Sequence, residues 1–234
     1  MNTSPSQADV DDVRQLEHSM SAVAYAIADP SRVSMLCALM DGRAWTATEL
    51  STVANISAST ASAHLAKLLN NRLVTCLAQG RHRYYRLAGR HIAGLLETLM
   101  GVSMSEYPRG IRTPQHLRHA RTCYDHLAGE VAVQIYDYMS EAGWFLPDCS
   151  ALSSVGVTGF AQMGAQIDSR KTRKNACACL DWSERRFHLG GSAGAALFIR
   201  FEQQQWITRT PGYREVIITR RGKAAFSQLF KLHL

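Results

Sequence analysis

Between Thr46 and Leu87 the chain carries, in immediate succession, two short stretches of helical apolar spacing and one alternating stretch folded about a glycine. Thr46 can cap a short helix carrying Ala47, Leu50 and Val53, Asn55-Ile56 makes a tight turn, and Ser57 can cap a second helix through Leu69. From Arg72 to Leu87 apolar and polar residues alternate around Gln79-Gly80. Leu73, Val74, Thr75, Tyr84 and Tyr85 there have strand propensity and Gly80 supplies a turn, so the segment predicts a β-hairpin. Two helices joined by about four residues are the geometry that sets a second helix into the major groove of DNA. The hairpin then makes a wing with Arg81, His82 and Arg83 at its tip.

The flanking segments complete a domain. Val23, Ile27, Val33, Leu36 and Leu39 recur at helical spacing from Ser19 to Met40, interrupted by Asp29-Pro30, where one helix ends and another starts. Asp41-Gly42 closes the second helix, and a last helix, about His91 to Val102, presents Ile92, Leu95, Leu96 and Leu99 on one face. The first ten residues read as a frayed tail. The segments AIADPSRVSMLCAL, ATELSTVANISASTASAHLAKLLNNRLV and GRHRYYRL resemble, in order and spacing, the ArsR/SmtB family of winged-helix repressors over residues 19–102. The resemblance implies a homodimer paired through the first and last helices of the domain, a double-stranded DNA operator, and release from it when an effector binds.

Within that domain the candidate DNA-binding residues are Thr46, Thr48, Ser57, Ala58, Ser59, Thr60, Ser62, Ala63, His64, Lys67, Gln79, Arg81, His82 and Arg83. The short hydroxyls at 57, 59, 60 and 62 can reach phosphates or base edges, and Lys67, Arg81 and Arg83 can neutralise phosphates. His64 is equally suited to packing. Members of the family commonly carry a long polar residue where this chain has Ala58, and Ala63 is as mute. Bidentate base readout needs Arg, Asn or Gln, so sequence preference leans on the wing, on van der Waals contact and on DNA shape. The formal charge of +7 suits a nucleic-acid partner, but residues 1–100 hold nine Arg/Lys against eight Asp/Glu, so local placement carries the argument. Metal sites of some relatives do not transfer. The helix from Thr46 to Val53 has no cysteine, and His91 and Glu97 are six apart where facing ligands need three or four.

Residues 103–115, with two prolines and a glycine, have linker composition. Beyond them the sequence repeats itself. Cys123-Tyr124-Asp125-His126-Leu127-Ala128-Gly129 corresponds to Cys179-Leu180-Asp181, six inserted residues, then His188-Leu189-Gly190-Gly191. Gly129 to Trp144 and Gly191 to Trp206 are both fifteen positions, and Val131, Ile135, Tyr136 and Met139 match Ala193, Leu197, Phe198 and Phe201 as one apolar helix stripe. Each tryptophan is followed by a stretch ending in Val157-Thr158 or Ile218-Thr219 and then a short helix, so each copy reads as a helix–strand–helix unit. The expected fold is α+β, mostly α. A tail and helix start occupy 1–18, a winged helix-turn-helix 19–102, a linker 103–115, and a duplicated effector-sensing domain 116–234, with degenerate winged-helix-like repeats at about 119–170 and 175–234. The extension also resembles that of longer members of the family carrying RTCYDHLAG and CLDWSERR…HLGG segments.

Three roles fit the paired Cys-x-Asp/His motif. In the first, Cys123 and Cys179 are small buried hydrophobes, while Asp and His cap helices and tie the copies into a structural or interaction module. In the second, Cys123, Asp125, His126, Cys177, Cys179, Asp181, Trp182 and His188 line an effector site. Arg121, Arg185 and Arg186 would favour a thiolate for oxidation or alkylation, the soft donors Cys123, His126, Cys179 and His188 would take a soft metal ion, or Trp182 would floor an apolar pocket for a small organic ligand. In the third, Cys, Asp and His form a catalytic set, but Asp125 and His126 diverge at a helix start, which makes an oriented base awkward, and no phosphate loop or cofactor fingerprint is present. Six scattered cysteines without a secretory signal predict reduced thiols in a cytoplasm, and no apolar run approaches the roughly 18 residues a bilayer needs, so no membrane partner is expected.

Overall fold

The computed structural model describes residues 7–80, 82–106, 114–168, 174–209 and 213–234. Their fold is α+β and mostly helical, in two compact units, Met1–Ile92 and Ala93–Leu234. In the first, α1 (Gln7–Ile27), α2 (Pro30–Leu39), α3 (Ala47–Ala54) and α4 (Ala58–Asn70) accompany a sheet of β1 (Trp45–Thr46), β2 (Val74–Gln79) and β3 (His82–Leu87), ordered β1-β3-β2. Local chemistry sets each boundary. Asp29 accepts the Arg32 N–H with Pro30 in the first turn of α2, and Thr46 and Glu49 form a capping box on α3. Asn55, left-handed at φ 51°, ends α3, and Ser57 starts α4 by accepting the Thr60 N–H. Leu36, Leu39, Leu50, Leu65, Leu68 and Leu73 are buried between these elements.

Two details differ from expectation. Gln7–Val10 belong to α1 rather than to a frayed tail, and Asp11 and Asp12 sit in its first two turns, toward the end where the helix dipole favours negative charge. Strand β1 escapes pattern reading because two residues carry no period; Trp45 pairs with Tyr85 across from it.

The second unit contains most of α5 (Arg90–Glu106), which runs past Val102 into the expected linker, and α6 (Gln115–His119), which starts at the linker's other end. Residues 107–113 lie outside the described residues. The first copy of the repeat is β4 (Arg121–Cys123), β5 (His126–Ala128), α7 (Glu130–Glu141) and α8 (Ser154–Met163). The second is β6 (Cys177–Leu180), β7 (Phe187–Gly190), α9 (Gly191–Gln203), β8 (Ile207–Arg209), β9 (Val216–Ile218) and α10 (Arg220–Phe230). Each copy therefore opens with a β-hairpin that the helix–strand–helix reading lacks, because strands of three or four residues are too short to declare a period of two.

The duplication extends to individual hydrogen bonds. The Trp144 N–H donates to Met139 at 2.9 Å and the Trp206 N–H to Phe201 at 2.9 Å. Ser153 caps α8 and its hydroxyl donates to the Gly143 carbonyl at 2.6 Å; Thr219 caps α10 and donates to the Gln205 carbonyl at 2.7 Å. The partner of Thr219 is thus Ser153, not Thr158. Val157-Thr158 lies inside α8, because the arm between the tryptophan and the following cap is shorter in the first copy. Both copies share one core, in which Val131, Met139 and Phe160 of the first meet Leu197, Phe201, Phe226 and Phe230 of the second. The copies also interlock, α7 packing on β7 and α9 on β5.

Candidate functional site

The N-terminal turns of α4 present Ala58, Ser59, Thr60, Ser62 and Ala63 to solvent. Ser57, also exposed, uses its hydroxyl on the Thr60 N–H at 3.2 Å and lies 2.9 Å from the Ser59 hydroxyl. Thr46 is committed to the capping box, and Thr48 is exposed on α3. Gln79, His82 and Arg83 are exposed on the wing, where Gln79 pairs with His82, while Arg81 lies outside the described residues. Two candidates are engaged within the unit. His64 Nδ1 is 3.1 Å from Arg32 Nη1, and the Lys67 ammonium sits 4.0 Å above the Tyr25 ring. Sequence reading missed Arg32, which is buried and donates to the Ala26 and Tyr25 carbonyls at 2.5 and 3.0 Å, tying α2 to the end of α1.

In the second unit the two hairpins bring together Cys123, His126, Cys179 and His188, whose donor atoms all lie within 4.8 Å of one another. The register explains the convergence. Cys123 stands directly opposite His126 across the two-residue turn Tyr124-Asp125, and Cys179 directly opposite His188. Directly paired residues of an antiparallel ladder project to the same face, with Cβ atoms about 5 Å apart. Each hairpin contributes one thiol and one imidazole, and β5 lies beside β7. Cys123, His126 and His188 are buried and Cys179 half-buried.

The surroundings orient both rings. Asp125 Oδ1 is 3.2 Å from His126 Nδ1, and Asp181 Oδ2 is 3.3 Å from His188 Nδ1, the second a charge contact rather than an aligned hydrogen bond. The carboxylates call for the proton on Nδ1 in each ring. The two Nε2 atoms then face each other at 3.2 Å, a distance at which one can donate a proton to the other. Asp181 is fully buried and accepts from Arg121 Nη2 at 2.8 Å, the Ser183 hydroxyl at 2.8 Å and the Gly129 N–H at 2.7 Å. Burial alone would raise its pKa, but His188 and Arg121 outweigh that and hold the carboxyl well below the usual range. For His188, burial pulls the pKa down, and the Asp181 carboxylate and Cys123 more than compensate, raising it to about 9. Cys123 is pushed up to about 12 by its hydrogen bond with the Cys179 thiol and by burial.

That last direction corrects the expectation of an activated thiolate. Arg121 is spent on Asp181, Arg185 on the Gly101 carbonyl and Arg186 on Asp137. The motif is also not at a helix start: the N-caps of α7 and α9 are Gly129 and Gly190, so neither Asp nor His of the motif caps a helix. Asp125 and His126, expected to diverge, are in contact. Cys177 stands two residues along β6 and is not among the four converging donors. Trp182 lies against the Arg121 guanidinium, 4.5 Å from its carbon to the ring centre. A cavity of about 560 Å³ does exist in this unit, lined by Leu152, Val157, Phe160, Ala165 and Ile167 among others, and none of the motif residues lines it.

Contacts that sequence reading did not anticipate complete the site. Arg121 and Asp181 form a fully buried pair across the copies. Arg214 joins Glu97 on α5 to the Thr122 carbonyl, next to Cys123. A signal for Arg121 was present: the repeat sets it at the position of Cys177, so a cation enters the first copy alone, opposite the aspartate of the second.

Residues 29–75 match the family pattern described as "Bacterial regulatory protein, arsR family". Over 217 residues the chain is 39% identical to a Bacillus subtilis (strain 168) protein described as an uncharacterized HTH-type transcriptional regulator, YdfF, covering 90% of this chain and 96% of that protein. Among solved structures, a homodimeric winged helix-turn-helix DNA-binding domain (fragment 1–100) from Mycobacterium bovis is 24% identical, with a TM-score of 0.40, and covers 49% of this chain and 100% of that one. Reduced HlyU from Vibrio cholerae is 25% identical, with a TM-score of 0.35, over 39% of this chain and 95% of that one.

Proposed function

The chain belongs to the ArsR family of helix-turn-helix transcriptional regulators, and on that premise we propose that it is a homodimeric, cytoplasmic operator-binding repressor whose affinity for DNA is set by an effector held among Cys123, His126, Cys179 and His188. One observation carries the regulatory part. A buried cluster takes one thiol and one imidazole from each copy of the repeat, and α5 is held beside it. Arg214 ties Glu97 to the strand of Cys123, and Arg185, in the β6–β7 turn, donates to the Gly101 carbonyl at 3.1 Å. A change in the spacing of the two hairpins therefore acts on α5, which begins among the residues of the first unit.

The exposed hydroxyl row of α4 and the basic wing support the DNA face, with phosphate contacts for affinity and little direct base readout. Pairing of two copies is supported by Val13, Leu16 and Met20 on α1, spaced by three and four and 54%, 61% and 64% exposed, an apolar stripe that a second chain would cover. A DNA duplex selected from a random library tests the DNA face. The double variant Arg81→Ala/Arg83→Ala should lower the slope of log affinity against log salt by about 2, roughly 0.9 for each phosphate that the protein no longer neutralises. An unchanged slope overturns the assignment of the wing.

A further inference from the structure

We propose that Cys123, His126, Cys179 and His188 form a tetrahedral site for a divalent cation of the zinc class, closed by one hairpin from each copy, with Asp125 and Asp181 orienting the two imidazoles. This deepens the regulatory reading above and rests on it only for the link to DNA. The donor set has the required chemistry, since two thiolates and two imidazole nitrogens select borderline and soft ions over magnesium or calcium. It also has the required size. Zinc–nitrogen bonds of about 2.0–2.1 Å give a tetrahedral edge of about 3.4 Å, and zinc–sulfur bonds of about 2.3 Å one of about 3.8 Å. The two Nε2 atoms are 3.2 Å apart and all four donors lie within 4.8 Å. The donors therefore need shifts on the order of 1 Å to close on an ion, the two nitrogens parting slightly and the wider separations contracting.

The orientation of the rings points the same way. With a carboxylate beside each Nδ1, the two Nε2 atoms face each other at 3.2 Å inside a buried site. A shared cation would take the place of a proton between them, and the carboxylate–histidine–metal relay is the usual way such ligands are held. Charge balances as well: coordination releases to solvent the two S–H protons and the proton held between the imidazoles, so two thiolates, two neutral imidazoles and one divalent ion make a neutral set of ligands and ion, and no electrons move. All four positions are filled by protein, the pattern of a closed site. Half-buried Cys179 marks the side from which an ion enters.

The test uses the full chain, stripped with a chelator under reducing conditions and titrated with Co(II), then displaced by Zn(II) or Cd(II). One Co(II) per chain is expected, with visible ligand-field bands of tetrahedral intensity and a thiolate-to-cobalt charge-transfer band, all bleached by zinc. Cys179→Ser should weaken the charge-transfer band and lower affinity at least a hundredfold. Asp125→Asn, at a partly exposed position, should keep the spectrum and lower affinity about tenfold. Absence of stoichiometric binding, a cobalt spectrum indifferent to Cys179→Ser, or recovery of a Cys123–Cys179 disulfide that excludes the ion each overturns the site. Tetrahedral binding with equal DNA affinity for the stripped and loaded chain upholds the site and overturns the regulatory reading instead.

Discussion

The two copies of the C-terminal repeat are alike where they build the core and unlike where they build the site. Their tryptophans, caps and close glycines correspond bond for bond: an added Cβ would meet the Trp144 carbonyl oxygen at 2.1 Å from Gly156 and the Trp206 carbonyl oxygen at 2.0 Å from Gly222. The hairpins have diverged. In the first, the turn is two residues and Asp125 is partly exposed; in the second, six inserted residues fold Asp181 into full burial against Arg121 of the first copy. Duplication supplied a symmetric scaffold and two equivalent Cys/His pairs, and the hairpins set unlike carboxylates beside the two histidines, Asp181 fully buried beside His188 and Asp125 partly exposed beside His126.

The comparison can be broken by experiment. Asp181→Asn leaves a buried guanidinium without its counter-charge and should cost about 3–5 kcal/mol of unfolding free energy in denaturant titration, against less than about 1 kcal/mol for Asp125→Asn. Equal costs would mean that the two hairpins are not asymmetric in the way described. Next in size, Gly156→Ala and Gly222→Ala place a methyl against a rigid backbone oxygen and should each lose about 3 kcal/mol, matching within about 1 kcal/mol. A large gap between them would show that the copies carry unequal shares of the common core. The smallest effect belongs to the caps, where Ser153→Ala and Thr219→Ala should each lower stability by about 1 kcal/mol.

The first unit was readable because its signals are local. Asp29-Pro30, the Thr46/Glu49 box, Asn55 and Ser57 each act within one helical turn, so the residues that set the boundaries are adjacent in the sequence. The four Cys/His positions were readable too, through the repeat, although their setting was misread. A hairpin of three-residue strands has no detectable period, and an aspartate before a helix resembles a cap. His64 and Lys67 show the other limit: their partners Arg32 and Tyr25 lie on different helices.

From the sequence alone, then, came the winged helix-turn-helix, the duplication and the identity of the four candidate donors, because spacing and capping are properties of neighbouring residues. Only the tertiary structure decided that Cys123 and His126 share a face with Cys179 and His188, that Asp181 reaches Arg121, and that Arg214 binds α5 to this centre. These are contacts across some 50 to more than 100 positions. They exist because the two copies bury a single apolar core together, and no local pattern of polarity records which surfaces that burial brings face to face.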